Sequence, residues 1–179
     1  MIGTVSLRLI GIVIFLLPGS GLQLFAEAPM FNEYEVKSAF LYNFAKFIEW
    51  PSSKGPLVIG VLGKDPFGSY LDRLQRQMVR DRSIVVKRFK KLHQIGRCHI
   101  LFISPSEKDD IEEILQALNG RNILTVSSID GFVERGGMIN FRVDQNRVRF
   151  EINQSSVERG GLKISSQLLK LARIPFLSP

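Results

Sequence analysis

Leu57-Val58-Ile59-Gly60-Val61-Leu62 is an unbroken apolar run, and Gly63-Lys64-Asp65-Pro66 ends it. A strand with one wet face would alternate apolar and polar residues. A continuous apolar run of this length, bounded by turn residues, reads as a strand covered on both faces. Such strands sit in parallel sheets between layers of helices. Cys98–Ile103 (CHILFI) carries the same signature. Ser83–Phe89 and Ile123–Val126 are further strand candidates.

Helical patterns lie between these runs. Asn32 to Glu49 is the clearest, with Asn32 as cap and Glu35 three residues on, as in a capping box. Phe31 and Val36 fit a hydrophobic staple. Val36, Phe40, Phe44 and Phe47 form one stripe, widened by Leu41, Ala45 and Ile48, and Trp50-Pro51 ends the helix. Asp65-Pro66 opens a second helix striped by Phe67, Leu71, Leu74 and Met78. Ser106 caps a third, whose apolar face is Ile111, Ile114, Leu115 and Leu118, and Asn119-Gly120 stops it. Strands alternating with helices imply a layered α/β fold.

The last third changes period. Met138–Val143 and Arg147–Ile152 both alternate. A two-residue turn at Gln145-Asn146 sets Val143 opposite Val148, Phe141 opposite Phe150 and Ile139 opposite Ile152, all on one face. A one-residue slip would set Val143 against Arg147, so the pattern selects the register. The other face carries Asn140, Arg142, Arg149 and Glu151. Arg142 then lies opposite Arg149, an unfavourable like-charge pair that Glu151 relieves diagonally. Leu162–Ile164 reads as a short strand and Ser166–Arg173 as a final helix. The expected fold class is therefore α/β. It is a single layered domain with a mixed parallel and antiparallel sheet flanked by helices, ending in a β-hairpin and a short helix.

Residues 1–26 stand apart. Arg8 is their only charged residue, and Leu9–Leu17 is an apolar run broken by Pro18, Gly19, Ser20 and Gly21. A spanning helix needs about 20 apolar residues, so the segment reads as a secretory signal peptide cleaved after Ala26, the alternative being an uncleaved anchor. The remaining residues 27–179 then form one α/β domain in a compartment outside the cytoplasm. The whole chain of 179 residues has a net charge of +7. Nine basic residues fall between Arg73 and Arg97, with only Asp81 among them. This stretch reads either as a solvated surface or as a face docking near anionic lipid headgroups or an acidic partner. Phe89 is its only aromatic, so no stacking platform for single-stranded nucleic acid is expected.

Chemistry-bearing motifs are sparse. Gly63-Lys64-Asp65 sits where phosphates often bind, but the glycine spacing of a phosphate loop is missing and Asp65 would repel an anion. Gly136-Gly137 reads first as a source of positive φ before a strand, and otherwise as a place where a ligand approaches the backbone. Cys98 is the only cysteine, which excludes an intramolecular disulfide, and His93 and His99 are the only histidines. No metal site, cofactor or catalytic constellation is expected. Asp109, Asp110, Glu112 and Glu113 lie at a helix start, where carboxylates favour the dipole.

Five segments together resemble the YfiR family of small exported bacterial proteins: EYEVKSAFLYNFAKFIEWP (Glu33–Pro51), IGVLGKDPFG (Ile59–Gly68), CHILFIS (Cys98–Ser104), LTVSSIDGFVERGGMINF (Leu124–Phe141) and RFEINQSSVERGGLKISSQLLKLA (Arg149–Ala172). The resemblance implies a periplasmic regulator that binds the sensing domain of an inner-membrane diguanylate cyclase, represses it, and so lowers cyclic di-GMP and biofilm formation. It also implies a mixed α/β domain that tends to dimerise. Some members rely on disulfides for redox control, and the single cysteine here departs from them. Asn140, Arg149 and Glu151 on the hairpin, with Leu162 and Ile164 in the GLKIS segment, are the candidate partner surface. The alternative is a sensor that binds a nucleotide or amino acid and works with a membrane receptor or transporter, and an enzyme is the least expected class.

Overall fold

The strand candidates Leu57–Leu62, Ser83–Phe89, Cys98–Ile103 and Ile123–Val126 supply strands of one curled sheet in the computed structural model, which describes residues 32–51 and 54–172. The elements run α1 (Glu33–Phe47), β1 (Ile48–Glu49), β2 (Leu57–Leu62), α2 (Ser69–Asp72), β3 (Met78–Val79), β4 (Arg82–Phe89), β5 (Ile100–Ile103), α3 (Ile111–Leu118), β6 (Leu124–Ser127), β7 (Ile139–Asp144), β8 (Arg147–Ile152), α4 (Gln154–Arg159), β9 (Lys163–Ile164) and α5 (Ser166–Leu171). The signal-peptide assignment to residues 1–26, the staple residue Phe31 and Arg173 lie outside the described residues. Among the described residues no helix is long and apolar enough to cross a membrane.

The main sheet has seven strands in the order β3-β4-β2-β5-β6-β7-β8. Its five central strands are parallel, and β3 and β8 join antiparallel at the two edges. In chain rank the parallel strands stand second, first, third, fourth and fifth, a doubly wound order. Burial on both faces explains the unbroken apolar runs: β2, β5 and β6 are buried throughout. On one face Leu41 and Phe44 of α1, Leu71 of α2 and Leu168 of α5 pack against Ile59, Phe102, Val126, Phe141 and Phe150. On the other, Ile111, Ile114 and Leu118 of α3 pack with Leu62, Leu101, Ile103 and Phe132. Small second sheet: β1 pairs with β9, with Ile48 opposite Ile164 and Glu49 opposite Lys163, and clips the C-terminal segment to the end of α1.

The hairpin register is the expected one: Val143 faces Val148, Phe141 faces Phe150, Ile139 faces Ile152, and Arg142 faces Arg149. Gln145 and Asn146 both take positive φ, 48° and 57°, which is the geometry that a two-residue turn between twisted strands demands.

The sequence reading lacks helix α4, and three of its helices differ in the structure. First, α1 ends at Phe47, and Ile48 and Glu49 are drawn into pairing with β9 instead of extending the helix. Second, Asp65 caps no helix. Its Oδ1 accepts the Phe67 N–H at 2.8 Å, its Oδ2 pairs with Arg88 Nε at 2.6 Å, and the helix begins at Ser69. Beyond Asp72 the coil tightens to a 3-10 turn at Arg73–Arg76, so Met78 leaves the stripe and lies exposed in β3. Third, Ser104 rather than Ser106 caps the helical segment starting at Pro105, while Ser106 Oγ accepts the Lys64 N–H at 3.0 Å.

Candidate functional site

Strand β7 outruns its neighbour. It matches all six residues of β8, but only Ile139 and Asn140 register with β6, which ends at Ser127. Phe141–Asp144 therefore projects past the C-terminal end of β6, and no strand among the described residues pairs with it on that side. The first turns of α1, the Ser128–Asp130 loop and the hairpin enclose a cleft of about 560 Å³ there. Crevices at the C-terminal ends of strands are the usual ligand sites of open α/β sheets.

One wall is built around Lys37. Lys37, Leu41, Phe44 and Ile48 follow helical spacing and are all buried, so a lysine occupies the first place on the core-facing ladder of α1. Its side chain is 1% exposed. The ammonium donates to the Glu33 carboxylate and to Ser128 Oγ at 2.7 Å, and lies 4.8 Å from the Tyr34 ring centroid. Burial lowers its pKa, and the bond and charge of Glu33 pull it partly back.

The facing wall comes from the polar face of the hairpin. Glu151 is buried, accepts Asn140 Nδ2 at 3.2 Å, and pairs with Arg142 Nε at 3.6 Å. The diagonal relief of the Arg142–Arg149 pair is thus present, and Asp144 adds to it at 3.5 Å from Arg149 Nε. Arg149 Nε and Asn140 Oδ1 are buried without a hydrogen-bond partner. Unsatisfied buried polar atoms are costly, and Glu151 and Arg149 beside them line the cleft.

Of the five candidate partner residues, the structure brings Asn140, Arg149 and Glu151 together on this wall. Leu162 is 2% exposed and belongs to the apolar core, so it offers no surface to a partner. Ile164 is half-buried and engaged with Ile48. Glu33, Lys37, Ser128 and Asp130 complete the site, and sequence reasoning passed over them. The signal for Lys37 was a charged residue on an apolar ladder, hidden because Val36, Phe40 and Phe47 form a second plausible stripe one residue round the helix.

The other motifs take structural roles. Cys98 is buried, which pushes its thiol up to about 12, and Sγ reaches the Ile100 carbonyl at 3.1 Å. His99 accepts the Val58 N–H on Nδ1 at 3.0 Å. Gly136 has φ 97°, and a Cβ on Gly137 would collide with the buried Phe132 ring. At the Gly63 turn the Ser106 and Glu107 side chains lie so close that a Cβ on Gly63 would collide with them. Among the described residues no cluster of three or more His, Cys, Asp or Glu is placed to hold a metal ion.

The basic stretch lies at the opposite end of the sheet, on β3, β4 and their flanks. Part of it is structural: Arg88 pairs with Asp65 and Asp72, and Arg82 Nε donates to the Gly55 carbonyl at 2.8 Å. Arg76, Lys87, Lys90 and Lys91 are exposed.

A solved structure with a similar fold is a conserved domain protein from Vibrio cholerae O1 biovar eltor, with TM-score 0.56 and 13% sequence identity. The match covers 79% of this chain and 60% of that one, so this chain spans well under the full length of that protein. Residues 34–173 match the family described as YfiR/HmsC-like, a span that starts in α1, runs through both sheets and takes in both walls of the cleft. The chain belongs to the YfiR/HmsC-like family.

Proposed function

We propose that this protein is a non-enzymatic periplasmic regulator that binds the sensing domain of an inner-membrane diguanylate cyclase and holds the enzyme inactive. Cyclic di-GMP and biofilm formation fall as a result. The observation that carries this reading is the uninterrupted family match over residues 34–173. Binding represses only if the protein has higher affinity for the inactive conformation of the sensor than for the active one. Deleting the gene and measuring cellular cyclic di-GMP tests it. A rise that is reversed by supplying the gene in trans supports the reading, and an unchanged level overturns it.

A second reading, a sensor for a small nucleotide or amino acid, is favoured by the cleft itself. Its volume is within the usual range for small-molecule sites, and its walls carry Lys37, Arg142 and Arg149 beside Glu33, Asp130 and Glu151. Thermal-shift measurements on the protein with nucleotides and amino acids test this reading. A shift for one compound that Arg149→Ala removes supports it, and uniformly flat curves count against it.

A further inference from the structure

Strand β3 pairs with β4 only at Arg82 and Ser83, so from Ile84 to Phe89 the outer side of β4 has no partner strand among the described residues. The basic stretch Arg73–Arg97 runs along this edge. The carboxylates around it are largely committed. Asp65 and Asp72 both hold Arg88, and Glu35 holds Arg73. Glu49 lines a cavity with Arg80 and Arg82, and Glu107 lies at the Gly63 turn, next to Lys64. Asp81 remains, exposed in the β3–β4 turn. The cations outnumber them. Arg80, Arg82 and Arg97 donate to the backbone carbonyls of Lys46, Gly55 and Lys54. Arg76, Lys87, Lys90 and Lys91 are exposed, and none has an ion-pair partner among the described residues.

The way these four are placed says what they meet. They are strung out rather than gathered round a recess. Lys87 and Lys91 lie about 13 Å apart along an extended chain. Alternation sets Lys87 on the sheet face of Val85 and Phe89, whereas Arg76 belongs to the 3-10 turn whose Leu74 packs with Ile84 on the opposite face. The cations therefore straddle the edge. Three of the four are lysines, compact point charges on flexible stems, whereas fixed pairing with the carboxylates of a folded partner favours the planar fork of arginine. Such an array answers to charge density, which a surface of mobile anionic headgroups supplies. Met78 adds an apolar element. It is 56% exposed, its carbonyl accepts the Tyr42 hydroxyl at 3.2 Å, and it stands opposite Ser83, on the same face as Lys87. In water that side chain gains nothing. At a bilayer interface it leaves water while the neighbouring lysines stay among the headgroups.

We propose that the β4 edge docks this protein on an anionic lipid surface, with Arg76, Lys87, Lys90 and Lys91 at the lipid phosphates and Met78 entering the headgroup layer. The surface stands whether or not a cyclase is the partner. Three strands separate β4 from β7, so docking on this edge holds the cleft about 19 Å further along the sheet, clear of the lipid. Cosedimentation of the purified protein, in the form its cells produce, with vesicles tests this. Vesicles of phosphatidylcholine with about one-third phosphatidylglycerol should bind at least tenfold more tightly than phosphatidylcholine alone, and salt should weaken that binding. The fourfold variant Arg76→Gln, Lys87→Gln, Lys90→Gln, Lys91→Gln alters only exposed side chains and should lose at least tenfold. A control with the same change in net charge, Lys108→Gln, Arg147→Gln, Lys163→Gln, Lys170→Gln, should bind as wild type does, and melting curves confirm that both are folded. Met78→Ser should weaken vesicle binding at least threefold and leave binding to polyglutamate unchanged. Residues 9–17, where retained, are common to every variant and produce no difference between them. Equal losses in the two fourfold variants would mean that net charge alone acts, and would overturn the surface. Absence of any preference for anionic vesicles would leave the lysines as guards of an edge strand, and would overturn it too. Tighter binding to polyglutamate than to vesicles, or unchanged vesicle binding by Met78→Ser, would assign the edge to an acidic protein instead of lipid.

Discussion

Lys37 shows how much one residue can cost and contribute. Taking an ammonium out of water is expensive, and the expense is met here by a carboxylate, a hydroxyl and the face of Tyr34. Because Glu33 is 35% exposed, water shares in stabilising the pair, and the arrangement is weaker than a wholly buried one. Lys37→Ala removes the stem packing and leaves the Ser128 hydroxyl unpaired, so the variant is expected to lose about 2 kcal/mol. Lys37→Met keeps the stem and discards the charge, and should lose less than half as much. Urea denaturation of both variants measures this. If Ala and Met prove equally damaging, the ammonium rather than the packing carries the contribution.

At the level of elements, the hairpin decides the site, and it does so through its turn. Positive φ at Gln145 costs a non-glycine residue about 1 kcal/mol, since Cβ crowds the backbone there. Gln145→Gly should therefore raise stability by up to ~1 kcal/mol in chemical denaturation without moving the register, because the three apolar pairs hold it. A fall in stability would mean that the Gln145 side chain contributes more than its backbone strain costs. The strands and the hairpin register were legible in the sequence because two-face burial and strict alternation leave few alternatives. The cleft was legible only in part. Asn140, Arg149 and Glu151 stood out as a polar strand face, but the burial of Asn140 and Glu151 on it is a tertiary outcome that alternation does not encode. The early end of β6 is set by where the following loop turns, which periodicity does not encode. Helix ends failed for a related reason: Ile48-Glu49 reads as helix until β9, distant in sequence, pairs with it.

Across the whole molecule, His99 joins more parts than any residue of the cleft. Its ring holds the Val58 N–H of β2, its Nε2 lies 2.9 Å from Arg82 Nη2 of β4, and its carbonyl accepts from Trp50 Nε1 at 3.2 Å, just past the end of α1. Accepting on Nδ1 requires that nitrogen to be unprotonated. A second proton would break the Val58 bond and place a cation beside Arg82. Burial, then the Arg82 and Arg97 charges, hold the imidazole down at about 4, against an ordinary 6.5. The unfolded chain therefore takes up a proton between pH 6.5 and 4 that the folded protein refuses. This contribution is complete above about pH 6.5, is lost as pH falls toward 4, and changes no further below that, a total of roughly 3 kcal/mol. Denaturation at pH 7 and pH 5 should show wild type losing stability over this interval. His99→Gln, which has no titrating ring, should lose about 1–2 kcal/mol less between the same two points. Parallel losses in the two proteins would place the acid sensitivity in the carboxylates of the surface pairs, and would remove His99 as the point through which pH acts on the joined sheet.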